Sequence, residues 1–243
     1  MDISVGIFLL VASFIGSFIQ RVCGFGFGIF IMTILPHLLT TLQEATALSG
    51  FLSLIQSSVV LAFTYKHLNI KNLIGIFVVF CITSFFAIKL IETTDTDNLK
   101  IILGCVLIIL AVYFLLFSNK IKVKPTLKWQ IPLGSLAGFM GGLFGMHGPA
   151  AVIYFLSSEK TKESYLAVAQ AYFVATNIYM SAIRAGNGFV TSEVGIGLLW
   201  ALPGIFVGIT IGKKVFNKIN SSILKKIIYF YMILAGIILI VGK

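Results

Sequence analysis

Two stretches decide the fold: Cys23-Gly24-Phe25-Gly26-Phe27-Gly28, and Gly141-Gly142-Leu143-Phe144-Gly145-Met146-His147-Gly148-Pro149. Each interrupts an apolar run, residues 3–39 and 131–157, that does not fit one membrane helix. Glycine opens backbone angles closed to other residues, and Pro149 removes a backbone donor. Helical structure is therefore expected to break at both places. A bilayer core of about 30 Å takes roughly 20 apolar residues per helix. Outside the two broken elements, segments of that kind run at 44–63, 71–91, 99–117, 164–183, 193–212 and 222–241.

Composition agrees. Of 243 residues 58% are hydrophobic and 11% charged, and the mean hydropathy is +1.05. A soluble domain carries about 25% charged residues, and a water-soluble body of this size has too few charges here to cover its outside. Soluble enzymes, nucleic-acid binders and disordered chains are excluded. The chain reads as an all-α integral membrane protein. Its net charge of +10 comes from lysines in short gaps between apolar runs, as in cytoplasmic loops, and does not call for a nucleic-acid partner. Cys23, Cys81 and Cys105 lie in apolar stretches without metal-ligand spacing. The N-terminus, MDISVGIFLL, lacks the basic start of a secretory signal and reads as a first membrane segment.

The layout repeats. Each half has a glycine-broken element followed by three ordinary spans, giving a first repeat over 1–117, a linker over 118–128 (SNKIKVKPTLK) and a second repeat over 129–243. An offset of 121 places Gly145-Met146-His147-Gly148-Pro149 on Gly24-Phe25-Gly26-Phe27-Gly28 and Asn177 on Gln56. If each broken element enters and leaves on one face, one side of the membrane holds 13 basic residues. The other holds Lys89, Lys100, Arg184 and Lys243. The positive-inside rule then puts the linker and the 213–221 loop in the cytoplasm, with 92–98 and 184–193 outside. The repeats are inverted in this arrangement, a design of secondary transporters that hold substrate near the midplane between helix breaks. Each broken element is either a re-entrant hairpin or two crossings. Residues 3–20 have the length to cross, whereas 131–142 and 149–157 are short.

Unwound backbone at membrane depth requires protein or a watery cavity around it. A half-helix starting after a break aims unpaired N–H groups and partial positive charge at that cavity. Two inverted copies would converge on one anion site. Alternatively, the glycines only allow close helix packing. Arg21 abuts the first break and either meets an anionic substrate with its fork of donors or snorkels to an interface. His147 either moves a proton or donates a hydrogen bond, or it packs. Cys23 either meets a sulfur-containing ligand or fills space. Gln56 and Asn177, with Gln170 two turns before Asn177, either line a pathway or bond across helices. Glu44, Lys89 and Arg184 lie near segment ends and read as interfacial.

The glycine breaks, above all FGMHGPAAVIYFL after GSLAGFMGG, together with the repeated layout and the length, resemble the sulfite exporter TauE/SafE family of membrane transporters. The resemblance covers essentially the whole chain. It implies a multi-pass protein of the cell membrane that moves a small anion: sulfite, sulfoacetate or another sulfur-containing or organic anion. The expected substrate-binding residues are Arg21, Cys23, Gly24, Phe25, Gly26, Phe27, Gly28 and Gln56, with Gly145, Met146, His147, Gly148, Pro149 and Asn177. No cofactor or metal is expected, and a proton or sodium gradient is the expected energy source. The chain has no G-x-x-x-x-G-K-[ST] loop, so it is not an ATP-driven pump by itself. A passive anion channel would use the same breaks. An intramembrane enzyme would need a catalytic cluster, such as paired mid-membrane carboxylates, that this sequence does not offer.

Overall fold

The computed structural model describes residues 2–117, 123–216 and 221–241. Among them the regular elements are all helical. The first broken element comprises α1 (Ile3–Cys23), α2 (Phe27–Met32) and α3 (Leu35–Leu38). It leads into α4 (Leu42–Thr64), α5 (Lys71–Thr93) and α6 (Thr96–Phe117). The second comprises α7 (Leu127–Phe144) and α8 (Gly148–Ser158), followed by α9 (Lys162–Gly186), α10 (Ser192–Val215) and α11 (Ser221–Val241). All six expected single spans lie inside observed helices. Of the 118–128 linker, residues 118–122 lie outside the described residues, as do 217–220 of the 213–221 loop.

Local chemistry sets the helix ends. Thr41 caps α4, accepting from the Glu44 N–H while the Glu44 side chain accepts from the Thr41 N–H. Thr161 and Thr191 cap α9 and α10 in the same way through one hydroxyl each. Helices α1 and α7 both stop on a left-handed glycine, Gly24 at φ 83° and Gly145 at φ 67°. Those two glycines are related by the offset of 121. The conformation is one in which a Cβ would be strained.

Among the described residues six helices are long and apolar enough to cross a membrane: α1, α4 with its one-turn extension to His67, α5, α6, α9 and α10. Helix α5 shows why the outer surface belongs in lipid. Ile74, Val78, Ile82 and Phe86, spaced by one turn, are all at least half exposed. Exposed apolar faces of that size are not stable against water. This is a multi-pass membrane protein.

Packing joins the halves. Helix α1 lies chiefly on α10, α7 on α5, α4 on α9 and α6 on α11. Two glycine ladders with a spacing of four bring backbones together. Gly204, Gly208 and Gly212 of α10 face Leu10, Phe14 and Arg21 of α1 in turn. Gly134, Gly138 and Gly142 of α7 face the Ile76, Phe80 and Ser84 carbonyls of α5, which lie only 2.7–3.0 Å from where a Cβ would stand. Small residues of this kind replace hydrophobic drive in membrane helix packing. Both ladders ascend together, so α1 runs with α10 and α7 runs with α5.

The contacts also show that the broken elements fold back. Gln130 near the start of α7 donates to the Tyr154 hydroxyl of α8 at 2.7 Å, and the Val123 N–H donates to Ser157 at 3.3 Å. Thr191, at the start of α10, donates to Glu44 at the start of α4 at 2.8 Å. Because α1 runs with α10, the chain has returned to the end where α1 began. Both elements are hairpins.

Candidate functional site

The two breaks touch. A side chain at Gly28 would lie 2.9 Å from the Gly145 carbonyl oxygen, and one at Gly148 would lie 3.9 Å from Cβ of Phe25. Where they meet is a small cavity, with room for about one water molecule. From the first half it is walled by Gln20, Gly26, Gly28, Ile29, Ser53 and Ser57. From the second half come Gly145, Met146, His147, Gly148, Phe173 and Asn177.

Of the residues expected from the sequence, the cavity wall includes Gly26, Gly28, Gly145, Met146, His147, Gly148 and Asn177. The others lie around it. Gly24 sits under the Tyr165 ring, 2.7 Å from a Cβ position. Phe25 packs on Phe114 at 6.1 Å between ring centroids. Cys23, Phe27 and Pro149 are buried in the packing. Gln56 is fully buried; its Oε1 accepts from Ser57 at 3.5 Å, while its Nε2 has no partner.

Arg21 lies outside the wall. It is buried beside Gly212, its guanidinium 4.9 Å from the centroid of the Phe216 ring, and its Nε and Nη1 have no hydrogen-bond partner. Lys162 places its ammonium 3.7 Å over the same ring.

The two breaks satisfy their backbones differently. At the first, amide side chains do the work. Gln20 Oε1 accepts from the Phe27 N–H at 3.2 Å, and Gln170 Nε2 donates to the Gly24 carbonyl at 2.9 Å. Gln20 Nε2 then donates to both Ser57 and Gln170 at 3.0 Å, closing a network between α1, α4 and α9. Only six residues long and already capped by Gln20, α2 is not the open anion-facing terminus expected from the sequence. At the second break α8 has 11 residues, and no side chain caps its start. The His147 ring beside it packs edge-on against Phe80 and Phe173, at 5.6 and 5.3 Å, with Nδ1 unpartnered.

Arg184 corrects the sequence reading. Though near the end of α9, its side chain is not exposed there but fully buried within the protein. Its Nη2 donates to the Gly141 and Gly142 carbonyls at 2.8 and 3.1 Å, and its Nη1 donates to the Thr46 carbonyl at 3.0 Å. The last carbonyls of a helix carry partial negative charge and lack intrahelical partners, and the guanidinium serves those of α7. Gln20, Ser53, Ser57 and Phe173 were also not singled out from the sequence. For Ser53 and Ser57 the signal was there in the polar spacing Thr46, Ser49, Ser53, Ser57 along α4, which keeps to one helical face.

No curated protein and no solved structure matches the chain. The sequence model of the sulfite exporter TauE/SafE family matches residues 8–239, nearly the full length, and the chain belongs to that family.

Proposed function

We propose that the protein is a secondary transporter of the cell membrane that binds a small anion in the cavity between the two breaks. Membership of the family already makes it a membrane transporter of the sulfite or anion exporter type. One observation carries the choice of an anion. The buried charged side chains among the described residues are two guanidiniums, Arg21 and Arg184, and no carboxylate. An intramembrane cation is costly unless a counter-charge or water meets it, and an anion passing between these two arginines supplies that counter-charge.

In this reading the substrate lies against Gly26, Gly28, Gly145, Gly148 and the uncapped start of α8. The Ser53 and Ser57 hydroxyls, Asn177 and His147 supply directed polar contacts. Arg21, outside the wall with Lys162, draws anions toward the end of the bundle at which α9 begins. Inverted repeats are supported by two observations: α1 and α7 run with α10 and α5 respectively, and each broken element returns to its own starting end. With 13 basic residues on the face that includes the linker, that face is the cytoplasmic one. Coupling to a proton or sodium gradient completes the proposal.

The experiment is flux into proteoliposomes across a panel of sulfur oxyanions and carboxylates, with and without imposed proton and sodium gradients. Saturable sulfite or sulfonate flux that follows one gradient is the expected result. Flux that neither saturates nor responds to a gradient would instead make it a channel, and the absence of flux for every anion would defeat the reading.

A further inference from the structure

We infer that the seam between α4 and α9 carries the anion from the cavity to a second binding site at Arg184. The inference rests on the anion reading above and adds to it a route and a residue. Helix α9 presents Gln170, Asn177, Ser181 and Arg184 at intervals of seven, four and three residues, one face of a helix. Helix α4, packed on it, presents Thr46, Ser49, Gly50, Ser53 and Ser57. The cavity takes up one end of this seam with Ser53, Ser57 and Asn177.

Beyond the cavity the polar groups continue without partners. Ser49 Oγ is 3.5 Å from a Cβ position at Gly145, on the cavity wall. The next residue of α4 is Gly50. The point where its Cβ would stand is 3.2 Å from Ser181 Oγ, 3.4 Å from Arg184 Nη1 and 3.9 Å from Asn177 Oδ1. Ser49 Oγ, Ser181 Oγ, Asn177 Oδ1 and Arg184 Nε are all buried with no hydrogen-bond partner. Buried polar groups are ordinarily satisfied, and four orphans along one seam mark a place that a polar solute or water occupies.

The charge at Arg184 makes that solute an anion. Its three carbonyl partners orient the guanidinium and engage three of its five N–H donors, but they are neutral and leave a full positive charge in the interior. Glu44, near the start of α4, is engaged by Thr41 and Thr191 instead. A Cβ at Gly50 would already be in tight contact, so α4 and α9 must part slightly to admit a small oxyanion there, which would accept from the Ser49 and Ser181 hydroxyls and from Arg184. Asn177 and Arg184 are separated by seven residues, about 10 Å of helix rise, so the second site meets the cavity at Asn177 and reaches beyond it. It lies toward the end of the bundle at which α9 finishes.

Sided sulfite uptake into right-side-out and inverted membrane vesicles, using the full-length chain, tests this. Ser49→Ala and Ser181→Ala should each raise the sulfite KM roughly three- to tenfold from the face where α9 ends. The KM from the opposite face should change less than about twofold. Arg184→Lys, which keeps the charge and loses the planar fork, should raise the first KM at least roughly tenfold. Ser53→Ala, in the cavity wall, should raise both. Neither Ser49 nor Ser181 holds a structural hydrogen bond through its hydroxyl, so the serine variants keep the test open if Arg184→Lys fails to fold. Wild-type transport with equal KM changes on both faces, or with no change in the serine variants, would overturn the second site alone. Wild-type vesicles that carry no anion would overturn the anion reading and this site with it.

Discussion

The two helix breaks occupy equivalent places in the chain, yet they are closed by different chemistry. Around Gly24–Gly26 two neutral glutamines, Gln20 and Gln170, satisfy the free backbone groups and bond to each other. Around Gly145–His147 the preceding helix ends on a guanidinium and the following helix starts without a side-chain cap. An amide seal is electrically neutral and fixes geometry. The second arrangement leaves positive charge and free donors facing inward. In the proposed function, one break therefore serves mainly as a wall, and the other as the source of anion preference.

Removing Arg184 should have the largest effect on that contrast. Arg184→Gln removes the hydrogen bonds of a charged donor to three buried carbonyls, of which Gly141 keeps the Gly145 N–H, and bonds to a charged group are worth about 1.5–3 kcal/mol each. We expect a fall of about 3 kcal/mol or more in stability, read as a lowered melting temperature in detergent. A variant as stable as the wild type would mean that the second break is not held by charge.

The first break should respond less. Gln20→Ala orphans the Phe27 N–H and Gln170→Ala orphans the Gly24 carbonyl, at about 1–3 kcal/mol each. Because the two glutamines touch, the double variant should depart from additivity by about 0.5–3 kcal/mol. Chemical unfolding of the three variants checks this, and strict additivity would mean that the amide network is not a unit. Neither change should alter the preference for anions over neutral solutes.

Smallest is the effect expected of Arg21. Because it lies off the cavity wall, the proposed function gives it a part in approach rather than in binding, so Arg21→Ala should lower the initial uptake rate at low ionic strength. The difference from wild type should shrink at about 0.15 M salt, where the Debye length is about 8 Å. Uptake rates at two salt concentrations decide it. A loss that is independent of salt would place Arg21 in contact with bound substrate.

Much of the fold was legible in the sequence because membrane helices are written as apolar runs of a fixed length. The breaks were legible too, since Gly24 and Gly145 stand where only glycine suits the backbone. What the sequence did not convey was depth. Arg184 is two residues from the end of α9 and reads as interfacial by that measure. It is buried because α7 stops at Gly145 and the start of α4 covers it. Gln20 was overlooked beside the more conspicuous Arg21. One helical position separates them, yet Gln20 faces the cavity and Arg21 faces α10. The glycine ladders on α7 and α10 carry a plain spacing of four, but their use for backbone contact depends on which helices become neighbours.

The claim that both breaks form one anion site is tested most directly by equilibrium sulfite affinity in a double-mutant cycle of Gly28→Ala and Gly148→Ala. Each adds one methyl group to the cavity wall, from opposite halves of the chain. Gly148 has no neighbour nearer than 3.7 Å to crowd, whereas Gly28 meets the Gly145 carbonyl, so thermal melts must first establish that both variants fold. A shared site predicts weaker binding in each single variant and a coupling of about 0.5–3 kcal/mol between them. Additive effects in folded variants would contradict it.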